Sequence, residues 1–253
     1  MSQAEMEAAM RPMNGYKGVF IDARGRAGGL GVLWEANVGV TLLSYSLHHM
    51  DAPMKFEGEH LEWRFTGIYG WPETQYKWRT ANVISDLKSH SNLPWLIGGD
   101  LNEIFYHSKK CGGQPKSQAQ IDSFRDAFVD NGLFDLGYNG YSFTWHQTVG
   151  GQVVVEERLD RFCASVDWSL SYPEATVHHI DSDLSYHIPI LLKCCSRQNP
   201  REQLDRSFRF ENTWCADPSC MDIIKDAWSG GGEVDAMKNY MAKAEPCSQA
   251  LRK

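Results

Sequence analysis

The chain has 253 residues, 42% hydrophobic and 23% charged, which is enough apolar material for a sizeable core and excludes disorder by composition. With 32 acidic against 25 basic residues the net charge is −7, which excludes a protein that coats nucleic acid through unpatterned charge, because phosphate affinity needs clustered Lys and Arg. No run of about 18 apolar residues occurs, and Met1-Ser2-Gln3-Ala4-Glu5-Met6 has neither a basic start nor an apolar stretch, so no membrane span or signal peptide is expected.

In chain order, residues 1–10 read as a helix and strands are expected over 19–22 and 31–34. Between them, Arg24-Gly25-Arg26-Ala27-Gly28-Gly29-Leu30-Gly31 lacks the Lys-Ser/Thr ending of a phosphate-binding loop and reads as a hairpin connection. Further strands are expected over 38–45 and 61–69. In the second, the alternating Leu61-Glu62-Trp63-Arg64-Phe65-Thr66 closes on Gly67-Ile68-Tyr69-Gly70, which puts Tyr69 at a strand end. Residues 76–89 form an amphipathic helix. A strand over 95–98 follows Leu93-Pro94 and ends in Gly98-Gly99, glycines that let the backbone turn sharply and come close to a ligand. The helix over 117–131 carries Ile121, Phe124, Phe128 and Val129 on one face, with Asp122, Arg125 and Asp126 facing away, and stops at Asn131-Gly132. Strands over 143–145, 158–164, 175–179 and 188–194 complete a domain spanning 1–196. Residues 197–253 make a linker, broken again at Gly230-Gly231-Gly232, and a C-terminal helical tail. Strands interleaved with two long helices imply an α/β (α+β) layered sandwich.

The chemistry-bearing window is Ile97-Gly98-Gly99-Asp100-Leu101-Asn102-Glu103-Ile104, an apolar strand ending in an Asp/Asn pair. Asp100 is a hard anionic oxygen ligand suited to Mg²⁺, and Asn102 offers an amide to a phosphoryl oxygen or an attacking water. Cleaving a phosphodiester also needs a group to take the proton of that water, and His187 is the natural base because imidazole titrates near neutrality. A carboxylate on its other nitrogen would fix the tautomer, and Asp160 is the partner chosen. Tyr69 could donate its hydroxyl to the phosphate. Each also has a plain structural reading: turn residues after a strand for the Asp/Asn pair, a half-buried histidine before Pro189, a core-edge tyrosine. The loop His107-Ser108-Lys109-Lys110-Cys111-Gly112-Gly113-Gln114-Pro115-Lys116 brings three lysines close to the site or is a solvated run. Seven cysteines without zinc spacing point to reduced thiols in an intracellular compartment.

Taken in order, Tyr69-Gly70, Gly99-Asp100-Leu101-Asn102, Ser142-Phe143-Thr144-Trp145, Arg158-Leu159-Asp160-Arg161 and Ser185-Tyr186-His187-Ile188-Pro189 resemble the endonuclease/exonuclease/phosphatase family. More narrowly they are similar to the endonuclease domain of plant LINE-type (non-LTR) retrotransposons. The resemblance runs from Gly18 to Leu192 and continues into Phe208-Arg209-Phe210-Glu211-Asn212-Thr213-Trp214, the segment leading toward a reverse transcriptase. It implies a four-layer sandwich of two mixed sheets flanked by helices, and Mg²⁺-dependent phosphodiester hydrolysis on DNA. In that frame His187, Asp160, Asn102, Asp100 and Tyr69 carry catalysis, Asp100 holds the metal, and Asn102 and Trp145 meet the substrate. Trp145 otherwise serves as core packing.

Three departures qualify the resemblance. The family's first strands, with an asparagine and a metal-binding glutamate, are missing before Gly18; Glu5 and Glu7 sit in a helix that follows them, so Met1 reads as an internal methionine of a longer frame. Tyr186 stands where the family's Ser-Asp-His has its aspartate, and Asp183 aims elsewhere. No reverse transcriptase is on the chain. Mg²⁺ binding is therefore expected to be weak or lost and activity impaired; the alternatives are an inactive retroelement remnant and a phosphatase of the same fold acting on a phosphoinositide or small phosphoester. The expected partner is DNA, with no membrane and no small-molecule cofactor.

Overall fold

The computed structural model describes residues 14–23, 29–182, 185–194, 218–228 and 247. The chain divides into two units, Met1–Arg197 and Gln198–Lys253. The first is built on a seven-stranded sheet of β3 (Val38–Val40), β4 (Ser44–Tyr45), β5 (His49–Phe56), β6 (Glu62–Tyr69), β7 (Trp95–Asp100), β9 (Leu133–Asp135) and β12 (Asp160–Ser165). The order is β3-β5-β6-β7-β12-β9, with β4 beside β5. Only β6 and β7 run parallel, joined through helix α1 (Trp78–Lys88), so the sheet is mixed.

One face of this sheet is covered by α1 and α2 (Gln118–Asp130), whose Ile84, Leu87, Phe124 and Phe128 pack on Ile97, Leu101 and Phe105. On the other face Trp63 and Leu96 pack with Trp168 and Tyr172, and with Leu192 from a hairpin of β13 (Thr176–His179) and β14 (Ile190–Lys193). Trp168 sits in the short helix α3 (Val166–Ser171). A second hairpin, β1 (Tyr16–Ile21) with β2 (Leu30–Glu35), sets Val19, Val32 and Trp34 around a pocket shared with Met50, Ala52 and Phe65. Strands β8 (Lys110–Gly112), β10 (Trp145–Val149) and β11 (Gln152–Glu157) form a small antiparallel sheet. The architecture is an α+β sandwich. In the second unit α4 (Pro218–Trp228) is the described helix. No described helix is long and apolar enough to cross a membrane.

Several elements differ from their sequence reading for physical reasons. β5 was invisible because His, Asp, Pro and Lys interrupt it. Its Asp51 is fully buried, accepting from Arg64 Nε at 2.7 Å, Arg64 Nη2 at 2.9 Å and Thr66 Oγ1 at 2.6 Å. Arg64 and Thr66, two polar positions of the β6 alternation, thus meet a buried carboxylate, not solvent, while Glu62 stays exposed. The single strand expected over 38–45 is split: three residues lie between Val40 and Ser44 but two between their partners Met54 and Asp51, a bulge. Val129 is 51% exposed and does not join the α2 stripe. Gly98 and Gly99 make room for protein, not for a ligand. A Cβ on Gly98 would lie 2.3 Å from the Phe162 ring opposite it, and Gly99, at φ +136°, would place one 2.2 Å from the Ile68 carbonyl oxygen. The expected helices over 1–10 and 234–253 fall outside the described residues, apart from Cys247.

Candidate active site

Register brings the candidates together. Tyr69 pairs with Asp100 across the parallel β6/β7 ladder, and Asp100 pairs with Asp160 across the antiparallel β7/β12 ladder. Laterally paired residues point to one face, so three strand ends present a single row of Tyr69, Asp100 and Asp160. His187 joins from a separate segment through a bridge to Trp145. Its Nδ1 lies 2.9 Å from Asp160 Oδ2. One ligand atom each from Asp100, Asp160 and His187 fall within 4.8 Å of one another.

The electrostatics follow from that crowding. Burial first, and then the charge of Asp160, push the Asp100 carboxyl up to about 6. His187 is pulled down by burial, but its hydrogen bond to Asp160 and the charges of Asp160 and Asp100 outweigh this, so its net shift is upward. Two carboxylates and an imidazole in so small a volume form a donor set a hard divalent cation would stabilise.

Asn102 adopts the left-handed conformation, φ 55°, the one non-glycine among the described residues to do so. Its backbone N–H donates to Asp100 Oδ1 at 2.9 Å, and its side-chain Nδ2 donates to Asp100 Oδ2 at 3.0 Å and to the Gly70 carbonyl at 2.9 Å. Lys77, reaching across from the β6–α1 connection, donates to the Asn102 carbonyl. Sequence reasoning missed Lys77 and the fully buried Glu103 that pairs with it at 3.2 Å. Glu103 also accepts from Lys116 at 2.8 Å and Gln120 at 2.7 Å. Burial alone would raise the Glu103 carboxyl, yet Lys77 and Lys116 hold it below its ordinary value. Lys110 and Lys116 pair with Glu157 at 2.5 and 2.6 Å, so two of the three loop lysines are committed to carboxylates. A charged side chain directly after the Asp/Asn pair was the available signal for this cluster.

Thr144 was also passed over. Fully buried, it accepts with Oγ1 from the N–H groups of Leu159 at 3.0 Å and Asp160 at 2.9 Å, while its carbonyl accepts from Ile188 N–H at 2.7 Å. One residue therefore ties the Asp160 strand to the His187 segment. Trp145 is half-buried against Ile104, Ile121 and Leu159. Tyr69 lies near-parallel to His48, which stacks on Trp71 with ring centroids 3.4 Å apart. Tyr186 is 64% exposed and sets its ring edge-on to His146, 5.7 Å between centroids. Asp183, Glu5 and Glu7 lie outside the described residues.

No family model and no curated protein sequence matches the chain. Solved structures do. The endonuclease domain of TRAS1, a telomere-specific non-LTR retrotransposon, superposes with a TM-score of 0.56 at 15% identity, covering 77% of this chain and 91% of that one. An endonuclease/exonuclease/phosphatase family protein from Bacteroides thetaiotaomicron gives 0.49 at 13%, covering 75% and 78%. D. rerio TDP2 complexed with a single-strand DNA product gives 0.48 at 14%, covering 77% and 82%. At 15% identity the first likeness is one of architecture, and the chain folds as that endonuclease domain does.

Proposed function

We propose that the chain is a metal-dependent phosphodiester hydrolase acting on DNA, descended from a retrotransposon endonuclease of the plant LINE type. The observation that carries this reading is the His187–Asp160 pair at 2.9 Å, set beside Asp100 at the ends of adjacent strands. Asp160 accepts from the His187 Nδ1–H, which fixes the tautomer and leaves Nε2 as the base toward a water. Both side-chain N–H groups of Asn102 are spent on Gly70 and Asp100, so its Oδ1 is the atom left to orient that water by accepting a hydrogen bond. Lys77 donates to the carbonyl of the left-handed Asn102 and, with the Asn102 bonds to Asp100 and Gly70, positions it. Tyr69, at the end of the row, supplies a hydroxyl toward the phosphate.

Asp100 is the carboxylate that would hold Mg²⁺, with Asp160 beside it. A bound ion would neutralise charge on the phosphoryl oxygens. Mg²⁺ is commonly held by one or two carboxylates together with substrate phosphates and water, so this set suffices, though weakly. A second reading, a chain that keeps the fold but no longer turns over, is favoured by Tyr186: its exposed phenol stands where the family has a carboxylate.

A supercoiled plasmid incubated with the purified chain, with and without Mg²⁺, tests the proposal. Mg²⁺-dependent nicking supports it. Phosphate release from monoesters without nicking would replace it with a phosphatase, and no turnover on either substrate would leave the inactive reading.

A further inference from the structure

Tyr138, in the β9–β10 connection, is half-buried and held on several sides. Its ring stacks on His179 with centroids 4.5 Å apart and 3° between planes. The Arg158 guanidinium lies 4.4 Å from the ring centroid and the Lys109 ammonium 4.9 Å. Lys109 Nζ donates to the Tyr138 hydroxyl oxygen at 3.1 Å. Hydrogen bonding from Ser142 and Lys109 holds the phenol below its ordinary pKa, which strengthens it as a donor. An oxygen that accepts from the Lys109 ammonium still has its own proton to donate.

The cation beside it is unlike its loop neighbours. Lys110 and Lys116 are tied to Glu157 and Glu103, and Arg158 is tied bidentately to Asp135 at 2.7 and 2.9 Å. Among the described residues no carboxylate lies in ion-pair contact with Lys109. Lys109 and Tyr138 therefore present an ammonium and a phenol proton side by side, both half-exposed. The segments that carry them adjoin the site: the Lys109 carbonyl accepts from the Arg158 N–H at 2.9 Å, and Arg158 is two residues before Asp160. A polymer bound at the strand ends extends past its reacting group, so donors on adjoining segments can meet its backbone.

We infer that Lys109 and Tyr138 form a phosphate subsite that takes a non-scissile phosphate of the nucleic-acid strand. The inference rests on the hydrolase reading above and extends it: substrate is gripped through its backbone beyond the reacting group, which a small phosphomonoester does not offer. Lys109 supplies the charge; Tyr138 supplies a directional neutral donor, fixed in place by His179 and Arg158.

Binding of a fluorescein-labelled DNA duplex to the full chain in EDTA, followed by anisotropy across a salt series, separates this from a purely structural role. Lys109→Met is expected to reduce the slope of log K against log salt by about one, the signature of one lost phosphate contact. Tyr138→Phe keeps the ring stack, so it is expected to weaken binding while leaving the slope unchanged. Lys55→Met, on β5 opposite Glu62 and so beside the far end of β6 from Tyr69, is expected to change neither. An unchanged slope in Lys109→Met, an equal loss in Lys55→Met, or no DNA binding by the unmodified chain would overturn the subsite. A slope change in a chain that fails to nick plasmid would keep the subsite and remove the hydrolase reading alone.

Discussion

His187 keeps its proton to a higher pH than a free imidazole, because its bond to Asp160 and the charges of Asp160 and Asp100 outweigh the effect of burial. A base must lose that proton before it can act, so nicking is expected to rise with pH through a midpoint above the ordinary imidazole value of about 6.5. Asp160→Asn removes the charge and the preferred tautomer, and is expected to lower turnover and move the midpoint down; a pH–rate profile with an unmoved midpoint would contradict the assignment. Lys77 is a second contact expected to matter to the geometry of the site. With Lys77→Met, Asn102 loses the ammonium on its carbonyl, and among the described residues Glu103 keeps Lys116 alone as a cationic partner. Turnover is expected to fall at least tenfold with KM little changed, while Lys77→Arg recovers part of it, as kinetics of the three proteins would show.

At the scale of elements, the sheet and its two long helices carry the site. Phe128 is 1% exposed within the α1/α2 core, whereas Val129 next to it is 51% exposed. Phe128→Ala is expected to cost about 3–5 kcal/mol and Val129→Ala within about 0.5 kcal/mol, measured by denaturant unfolding. Periodicity made α2 legible but misplaced Val129, because a residue adjacent to the stripe lies about 100° around the helix from Phe128. The strand ends at Tyr69 and Asp100 were readable from apolar runs closing on glycine. Strand β5 was not, since Asp51 looks like a surface residue until Arg64 and Thr66, thirteen and fifteen positions on, are folded onto it. For the same reason Asp100, Asn102, Asp160 and His187 could be nominated from local motifs, while the roles of Lys77, Glu103 and Thr144 were not legible: Glu103 and Thr144 sit in the quoted windows, but what all three do exists only in contacts between segments distant in sequence.

For the whole molecule, the site is a local burden on stability that a cation would relieve. Asp100 has a folded-state pKa raised to about 6. A raised carboxyl favours the fold fully below its unfolded value of about 3.9, and that contribution is lost as pH rises through the folded value. Near pH 7.5 the ionised carboxylate therefore opposes folding, and a divalent cation offsets it; near pH 5 the same cation must displace a proton. Mg²⁺ is expected to raise Tm at pH 7.5 and by clearly less at pH 5, and Asp100→Asn is expected to remove that difference. Equal shifts at both pH values in the unmodified chain would contradict this electrostatic account. With a −7 net charge, any binding of nucleic acid is expected to rest on local cations such as Lys109, which has no carboxylate partner among the described residues.

If His187, oriented by Asp160, withdraws the proton from a water attacking a phosphodiester, the Mg²⁺-dependent rate of plasmid nicking should depend on it. Measured for the unmodified chain and a folded His187→Ala variant, nicking is expected to be detectable in the first and to fall by about 10²–10⁴ in the second; nicking that persists unchanged in His187→Ala would contradict the role of His187 as the base.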